Sequence, residues 1–420
     1  MLGRVSLTVA SRLALTVLSL VSSIVTARVL GQSGRGDYFF IITLSATLVQ
    51  FANLGLPVSS TYDVAREPRH APSVVANAFW VSLVGAGGLG FLVILAAHVL
   101  GQLQDTPVSF LLLAACLAPP SLFFMIVANV LTGQERFVEF NVLEAVSRAA
   151  AVGGIVVAGV IGAGAGGFAG AAIATWTVSA LVTAAAVLRG HRLRLRFDRA
   201  LFTTGLRFST KAYVITLLGF LVLRANVFLL RRDYGPSELG LYSIAAQFSD
   251  VLAIVPQATA LVLFPRLVRT TADRWNATMR ATLITAALLV VACGATAIAA
   301  GPVIRLLYGA SFAPAATVLR IMLPGVVCLG VANVISQYLG AEGLPKSQVG
   351  VWIGAALLLG ATSLAFVPHH AGAGAAAALS ITYGATLAGI LAVALWHRRR
   401  EEEPGASVQF DLEELPPAAE

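Results

Sequence analysis

The stretch Arg28-Val29-Leu30-Gly31-Gln32-Ser33-Gly34-Arg35-Gly36-Asp37-Tyr38 returns 204 positions later as Arg232-Asp233-Tyr234-Gly235-Pro236-Ser237-Glu238-Leu239-Gly240-Leu241-Tyr242. Arg, Gly, Ser, Gly and Tyr keep their offsets, and an apolar run enters and leaves each copy. Glycine accepts the positive φ of a tight reversal, so each copy reads as a turn between two apolar helices. The chain is one design used twice.

Outward from the motif, 58% of the 420 residues are hydrophobic and 11% are charged, with a mean hydropathy of +0.85. That balance excludes a soluble globular domain and fits an all-α polytopic membrane protein. About 20 apolar residues cross a bilayer core, and about twelve such spans are legible between short polar breaks. The first six lie near 7–30, 38–57, 75–99, 109–131, 140–161 and 166–188. The second six lie near 208–230, 241–264, 281–304, 317–339, 349–367 and 373–395.

The expected organisation is two pseudo-symmetric six-helix lobes, 1–200 and 201–397, followed by a disordered acidic cytosolic tail over 398–420. The same offset of 204 places Asn53 on Gln257 and Pro120 on Pro324. It spans an even number of helices, so both lobes keep one direction through the membrane and a cavity forms between them.

Arginines crowd the breaks at 189–207 and 266–280 and follow the last span at 398–400, whereas the motif side holds few. This asymmetry places both termini in the cytosol of a multi-pass inner-membrane protein, with the motifs on the outer side. The net charge of +8 therefore reports topology and membrane lipids as surroundings, not a nucleic-acid partner. Cys116, Cys293 and Cys328 all sit in apolar spans, which argues against a disulfide framework or thiolate metal site. No metal, cofactor or enzyme signature stands out, so the chain reads as a non-enzyme.

Charges inside spans are costly and mark function by default. The cations are Arg12, Arg148, Lys211, Arg224 and Arg320, and the acids are Glu144 and Asp250. They outline a cationic cavity for an anionic substrate, with the two acids as coupling or pairing groups. Glu144 and Arg148 sit four apart on one helical face and can neutralise each other. Asn53 and Gln257 are read as polar cavity lining. Arg28, Gly31, Gly36 and Tyr38, with Arg232, Gly235, Gly240 and Tyr242, are read as hinge or gate turns rather than the binding site.

The run Ala27-Arg28-Val29-Leu30-Gly31, leading into Gly34-Arg35-Gly36-Asp37-Tyr38 and then Asn53-Leu54-Gly55-Leu56, resembles the start of the oligosaccharide (Wzx-type) flippases. These form the polysaccharide-transporter branch of the multidrug/oligosaccharidyl-lipid/polysaccharide superfamily. The resemblance implies a V-shaped, MATE-like pair of lobes that carries lipid-linked oligosaccharide units, usually on undecaprenyl diphosphate, by alternating access for polysaccharide biosynthesis. It also implies glycan polymerase or assembly proteins as partners. Ser11-Arg12 is similar to a helix-1 Ser-Arg of the related cell-wall precursor flippases, whose Arg contributes to the cavity. Those relatives usually have two further helices, which favours the oligosaccharide branch.

Two other readings compete. A cation-coupled drug or metabolite antiporter of the same superfamily would use Asp250 and Glu144 as its buried acids. A membrane glycan polymerase or ligase would need a sizeable outer loop, and the outer breaks are short.

Overall fold

The computed structural model describes residues 2–100, 106–189, 195–269, 273–343 and 345–402, with side chains at all of these except 2–15, 100, 211 and 400–402. Lipid offers backbone amides no partner, so apolar runs of this length satisfy themselves as helix. The first half comprises α1 (Leu2–Ala52), α2 (Leu56–Arg66), α3 (Ala71–Trp80), α4 (Gly87–Leu100), α5 (Val108–Gly133), α6 (Phe137–Val160) and α7 (Ala165–Val187). The second comprises α8 (Arg199–Arg224), α9 (Asn226–Leu252), α10 (Ile254–Arg269), α11 (Arg274–Tyr308), α12 (Ala315–Ala341) and α13 (Lys346–Glu402).

Among the described residues, nine continuous segments are long and apolar enough to cross a membrane. The sequence reading of about twelve differs because three of the nine run straight through a bend. Thr16–Ala52, Ala212–Arg269 and Lys346–Arg399 each contain one non-helical residue, Gly31, Gly235 and Ala371 respectively. A reversal made by one residue leaves no coil to separate two helices. Helix α13 also continues to Glu402, so the segment read as a tail from 398 begins as helix, and 403–420 lie outside the described residues.

Gly31 has φ 65° and ψ −170°, and Gly235 has φ 74° and ψ −167°. The sequence repeat is thus a repeat of backbone geometry. A second break falls at Asn53-Leu54-Gly55, where the Asn53 carboxamide oxygen accepts the Gly55 amide at 2.8 Å and α2 starts beyond. Asp198 caps α8 by accepting the Leu201 amide at 3.0 Å, which fixes where the second half begins.

The largest apolar core straddles the two halves near the bends, the motif end of the bundle. There Phe40 and Ile41 of α1 join Val227, Leu239, Tyr242 and Ile244 of α9 and Tyr308 at the end of α11. Smaller cores belong to one half each: Leu122, Ile126 and Val64 in the first, Leu263, Ile335 and Tyr338 in the second. The halves are therefore joined through the motif end, and a second time where α8 packs on α2, with Ser209 donating to the Leu54 carbonyl at 3.3 Å.

Candidate functional site

At the motif end the two bends pack backbone against backbone. A Cβ added to Gly36 would fall 1.8 Å from the Pro236 carbonyl oxygen, and one added to Gly240 would fall 2.1 Å from the Gln32 carbonyl oxygen. Each copy thus needs its second glycine for the other copy to approach. Polar contacts lock this seam. Arg28 Nε donates to the Leu307 carbonyl at 2.7 Å, its second guanidinium arm reaches Leu306, and the Gln32 amide donates to the Ser311 carbonyl.

Arg231 crosses between the halves to Asp37 at 2.6 Å, with the two side chains only 5% and 18% exposed. Its guanidinium also lies over the Phe40 ring, 5.5 Å from the centroid. Arg232 pairs locally with Asp233 at 2.7 Å. Tyr38 and Tyr242 are buried, Tyr38 edge-on to Phe168 at 6.0 Å.

Below this closure the halves part around a cavity of 300 Å³ lined by Ser19, Ser22, Ser23, Arg35, Thr43, Arg224, Gln247 and Asp250. Ser19, Gln247 and Asp250 are shared with a second volume of 390 Å³, lined also by Glu144, Arg148 and Gln257. The two adjoin as one chamber built from α1, α6, α8, α9 and α10, with polar and charged side chains set in an apolar wall. Helices α2 and α8 close another side of the bundle: Tyr62 stacks on Phe208 at 4.4 Å, and the Tyr213 hydroxyl donates to the Phe51 carbonyl at 2.9 Å. Beside that seam, burial pushes the Asp63 carboxyl above the ordinary carboxylate range, with His70 and Arg66 pulling the other way.

The charges in the chamber are largely paired. Arg224 meets Asp250 at 2.8 Å, and Arg148 meets Glu144 at 3.2 Å across one turn of α6. Gln257 lines the chamber, whereas its repeat partner Asn53 is buried at the α1–α2 break and bonds Gln50 and Gly55. Arg320 is exposed on α12, and its Nε donates to the Ala297 carbonyl at 2.9 Å, away from the chamber lining. The side chains of Arg12 and Lys211 lie outside the described residues.

The sequence reading missed Ser19, Ser23 and Gln247 in the chamber wall and, of the charged groups there, Arg35. Arg35 is 5% exposed and lines the chamber beneath the closure. It donates from Nε to Ser243 at 3.1 Å, and through its two terminal nitrogens to Thr26 at 2.5 Å and Ser23 at 3.1 Å. Among the described residues it has no carboxylate partner. Its place inside a motif read as a turn concealed it. The signal that could have found it is a mismatch in the repeat: at the offset of 204, Ser23, Thr26 and Arg35 fall on Val227, Leu230 and Leu239.

With this geometry in hand, comparisons with known proteins add three findings. The family model described as "Polysaccharide biosynthesis protein" matches residues 2–271. Among solved structures, the chain is similar to a lipid II flippase MurJ in an inward closed conformation, with a TM-score of 0.76 at 14% identity, covering 91% of this chain and 86% of that one. It is also similar to a multidrug resistance MATE family transporter of the MOP superfamily in an inward-facing conformation, with a TM-score of 0.67 at 18% identity and coverage of 92% and 94%. An outward-facing MATE conformation gives a TM-score of 0.62 at 17% identity, with coverage of 95% and 94%. No curated protein sequence matches the chain. At these identities the structural likeness establishes the fold.

Proposed function

The chain belongs to the polysaccharide biosynthesis protein family and has the fold of the MOP-superfamily transporters, and from that premise we propose that it is a flippase for lipid-linked oligosaccharides. The substrate is a sugar unit carried on a polyprenyl diphosphate such as undecaprenyl diphosphate. The membrane is the inner membrane, with both termini in the cytosol, and lobes 1–200 and 201–397 rock about the motif end. Glycan polymerase or assembly proteins are the partners that take the product.

The observation that carries this reading is the chamber itself, a volume between the two halves with polar and charged groups in its wall, sealed at the motif end by the Gly36 and Gly240 contacts. A sugar headgroup needs polar walls, and alternating access needs one end shut. Ser19, Gln247 and Gln257 provide hydrogen-bonding walls, while the Arg224–Asp250 and Arg148–Glu144 pairs present arginines whose charges are held in place by acids. Asp250 is already neutralised by Arg224, which weighs against a coupling-acid role in a drug antiporter.

The test is a vesicle assay with the purified full chain and a fluorescent undecaprenyl-diphosphate oligosaccharide. Time-dependent exposure of the sugar on the far leaflet, above protein-free vesicles, is expected. Movement of a cationic drug in its place would overturn the reading.

A further inference from the structure

We propose that residues 403–420 of this same chain dock into a basic groove between α10 and α11 and brace α10 there. The inference goes beyond the flippase reading and does not depend on it.

The groove lies at the end of the bundle away from the motif bends, since α11 runs from it to Tyr308 in the motif-end core. It is a cavity of 690 Å³ lined by apolar Val262, Leu263 and Ile284 together with Arg266, Arg274 and Arg280. Arg274 holds its shape: Nε donates to the Leu267 carbonyl at 2.8 Å, and Nη1 meets Glu342 at 2.7 Å, which ties the start of α11 to the ends of α10 and α12. The acid in the lining, Asp273, is engaged by the Asn276 carboxamide. Arg266 and Arg280 are exposed, and among the described residues neither has a carboxylate in pairing distance. The groove therefore presents two uncommitted cations beside apolar surface.

The segment has the complementary pattern. Residues 403–420 hold Glu403, Asp411, Glu413, Glu414 and Glu420 and no lysine or arginine. Within them Val408, Phe410 and Leu412 alternate with Gln409, Asp411 and Glu413, so an extended stretch offers apolar groups to one side and acids to the other. Arginine takes such carboxylates through paired N–H bonds.

Position selects this groove over the other arginine-rich surface at 189–207. Helix α13 carries the chain to Glu402, and near that end the Arg398 guanidinium lies over the Trp275 ring, 5.1 Å from its centroid. Trp275 is the chain neighbour of Arg274 in the groove lining. From there, residues 403–407 reach at most about 18 Å. A short tether of this kind sets an effective concentration on the order of millimolar. Docking also has a structural consequence, because α10 gives Ala258 to both the groove and the chamber and places Gln257 and Leu261 in the chamber wall. An occupant of the groove holds that wall against α11.

The experiment uses the full chain in phosphatidylcholine nanodiscs, with Cys116→Ala, Cys293→Ala and Cys328→Ala and spin labels on Gln409→Cys and on Leu283→Cys, an exposed position beside the groove. One narrow distribution of label separation is expected. Arg266→Glu with Arg280→Glu should spread it, as should Asp411→Lys with Glu413→Lys and Glu414→Lys, and the two sets combined should narrow it again. On the unlabelled chain, amides of 258–267 should exchange hydrogen about threefold faster in either reversed set, the weight of one modest ion pair, and return to the wild-type rate in the combination. Misfolding would not be repaired by further changes in the segment, so the combination keeps the test valid.

A broad distribution in the unreversed chain would overturn the docking. A narrow one that ignores Arg266→Glu with Arg280→Glu would put the segment elsewhere and overturn it equally. Spreading on exchange of phosphatidylcholine for phosphatidylglycerol would assign the groove to an anionic lipid headgroup instead, and unchanged exchange over 258–267 would overturn the brace. None of these readouts involves transport, so their failure leaves the flippase reading to its own vesicle assay.

Discussion

Gly31 and Gly235 bend their helices with nearly the same dihedral angles, yet around the first stand Ser23, Thr26, Arg35 and Asp37 where the second has Val227, Leu230, Leu239 and Leu241. The traffic also runs the other way: Arg231 replaces Ala27, and it is the residue that meets Asp37. Arg224 and Asp250 likewise stand where the first half has Leu20 and Ala46. The copies share what packing requires, small residues and a positive φ, and differ in what charge requires. Duplication built the frame, and polar divergence on that frame built the chamber and its closure.

The sharpest way to break this comparison is Asp37→Leu, which places the second copy's residue in the first. It leaves Arg231 buried without its acid, and removing one partner of a buried pair costs about 3–5 kcal/mol. Thermal unfolding in detergent should show that loss. Adding Arg231→Ala, which reproduces the Ala27–Leu241 pairing of the opposite side, should recover most of it. If the double variant stays as unstable as the single one, Asp37 acts through something other than Arg231.

Next in size are Gly36→Ala and Gly240→Ala. Each drives a Cβ into a carbonyl of the other copy, and overpacking of this kind costs about 1–3 kcal/mol. Unfolding temperatures should fall by similar amounts in the two variants. Very different losses would break the symmetry of the seam.

Arg35→Leu also installs the second copy's residue, with the opposite pattern expected. The leucine relieves the burial of a charge but gives up the three hydrogen bonds to Ser23, Thr26 and Ser243, two effects of opposite sign. Unfolding temperature should change little while flipping in vesicles is lost. Retained flipping would separate Arg35 from the substrate.

The smallest effect lies outside the motifs, at Asp63 beside the α2–α8 seam. Its carboxyl is raised in the folded state by burial, so the folded protein binds a proton before the unfolded one does as pH falls. Stability should therefore rise slightly as pH drops through the raised value toward the unfolded one, then level off. Asp63→Asn should flatten that slope, and an unchanged slope would place its origin elsewhere.

Much of this was legible in the sequence. Composition is decisive for a bilayer protein because the solvent dictates helix, and the glycines of the repeat located both bends. The Glu144–Arg148 pair followed from i,i+4 spacing on one helix. Arg224 and Asp250 were each singled out, but their pairing was not, because 26 residues and a reversal at Gly235 separate them. The nine continuous segments stand against about twelve spans for a related reason, since one bent residue ends a helix without leaving a loop. Arg35 was hidden by the same geometry: helix resumes directly after Gly31, so a residue counted with a turn lies inside the bundle. Arg320 was selected for being charged in an apolar span, yet it satisfies a backbone carbonyl on an exposed face.

The central claim is that the motif-end closure must open for the lipid-linked unit to cross. It is tested most directly by joining Gln32→Cys to Ser311→Cys, positions already in hydrogen-bond contact, with a short cleavable bismaleimide linker after replacing Cys116, Cys293 and Cys328. Flipping of the fluorescent undecaprenyl-diphosphate oligosaccharide should fall to the protein-free level when the linker is closed and return when it is cut. Unimpeded turnover with the two halves joined would contradict the account.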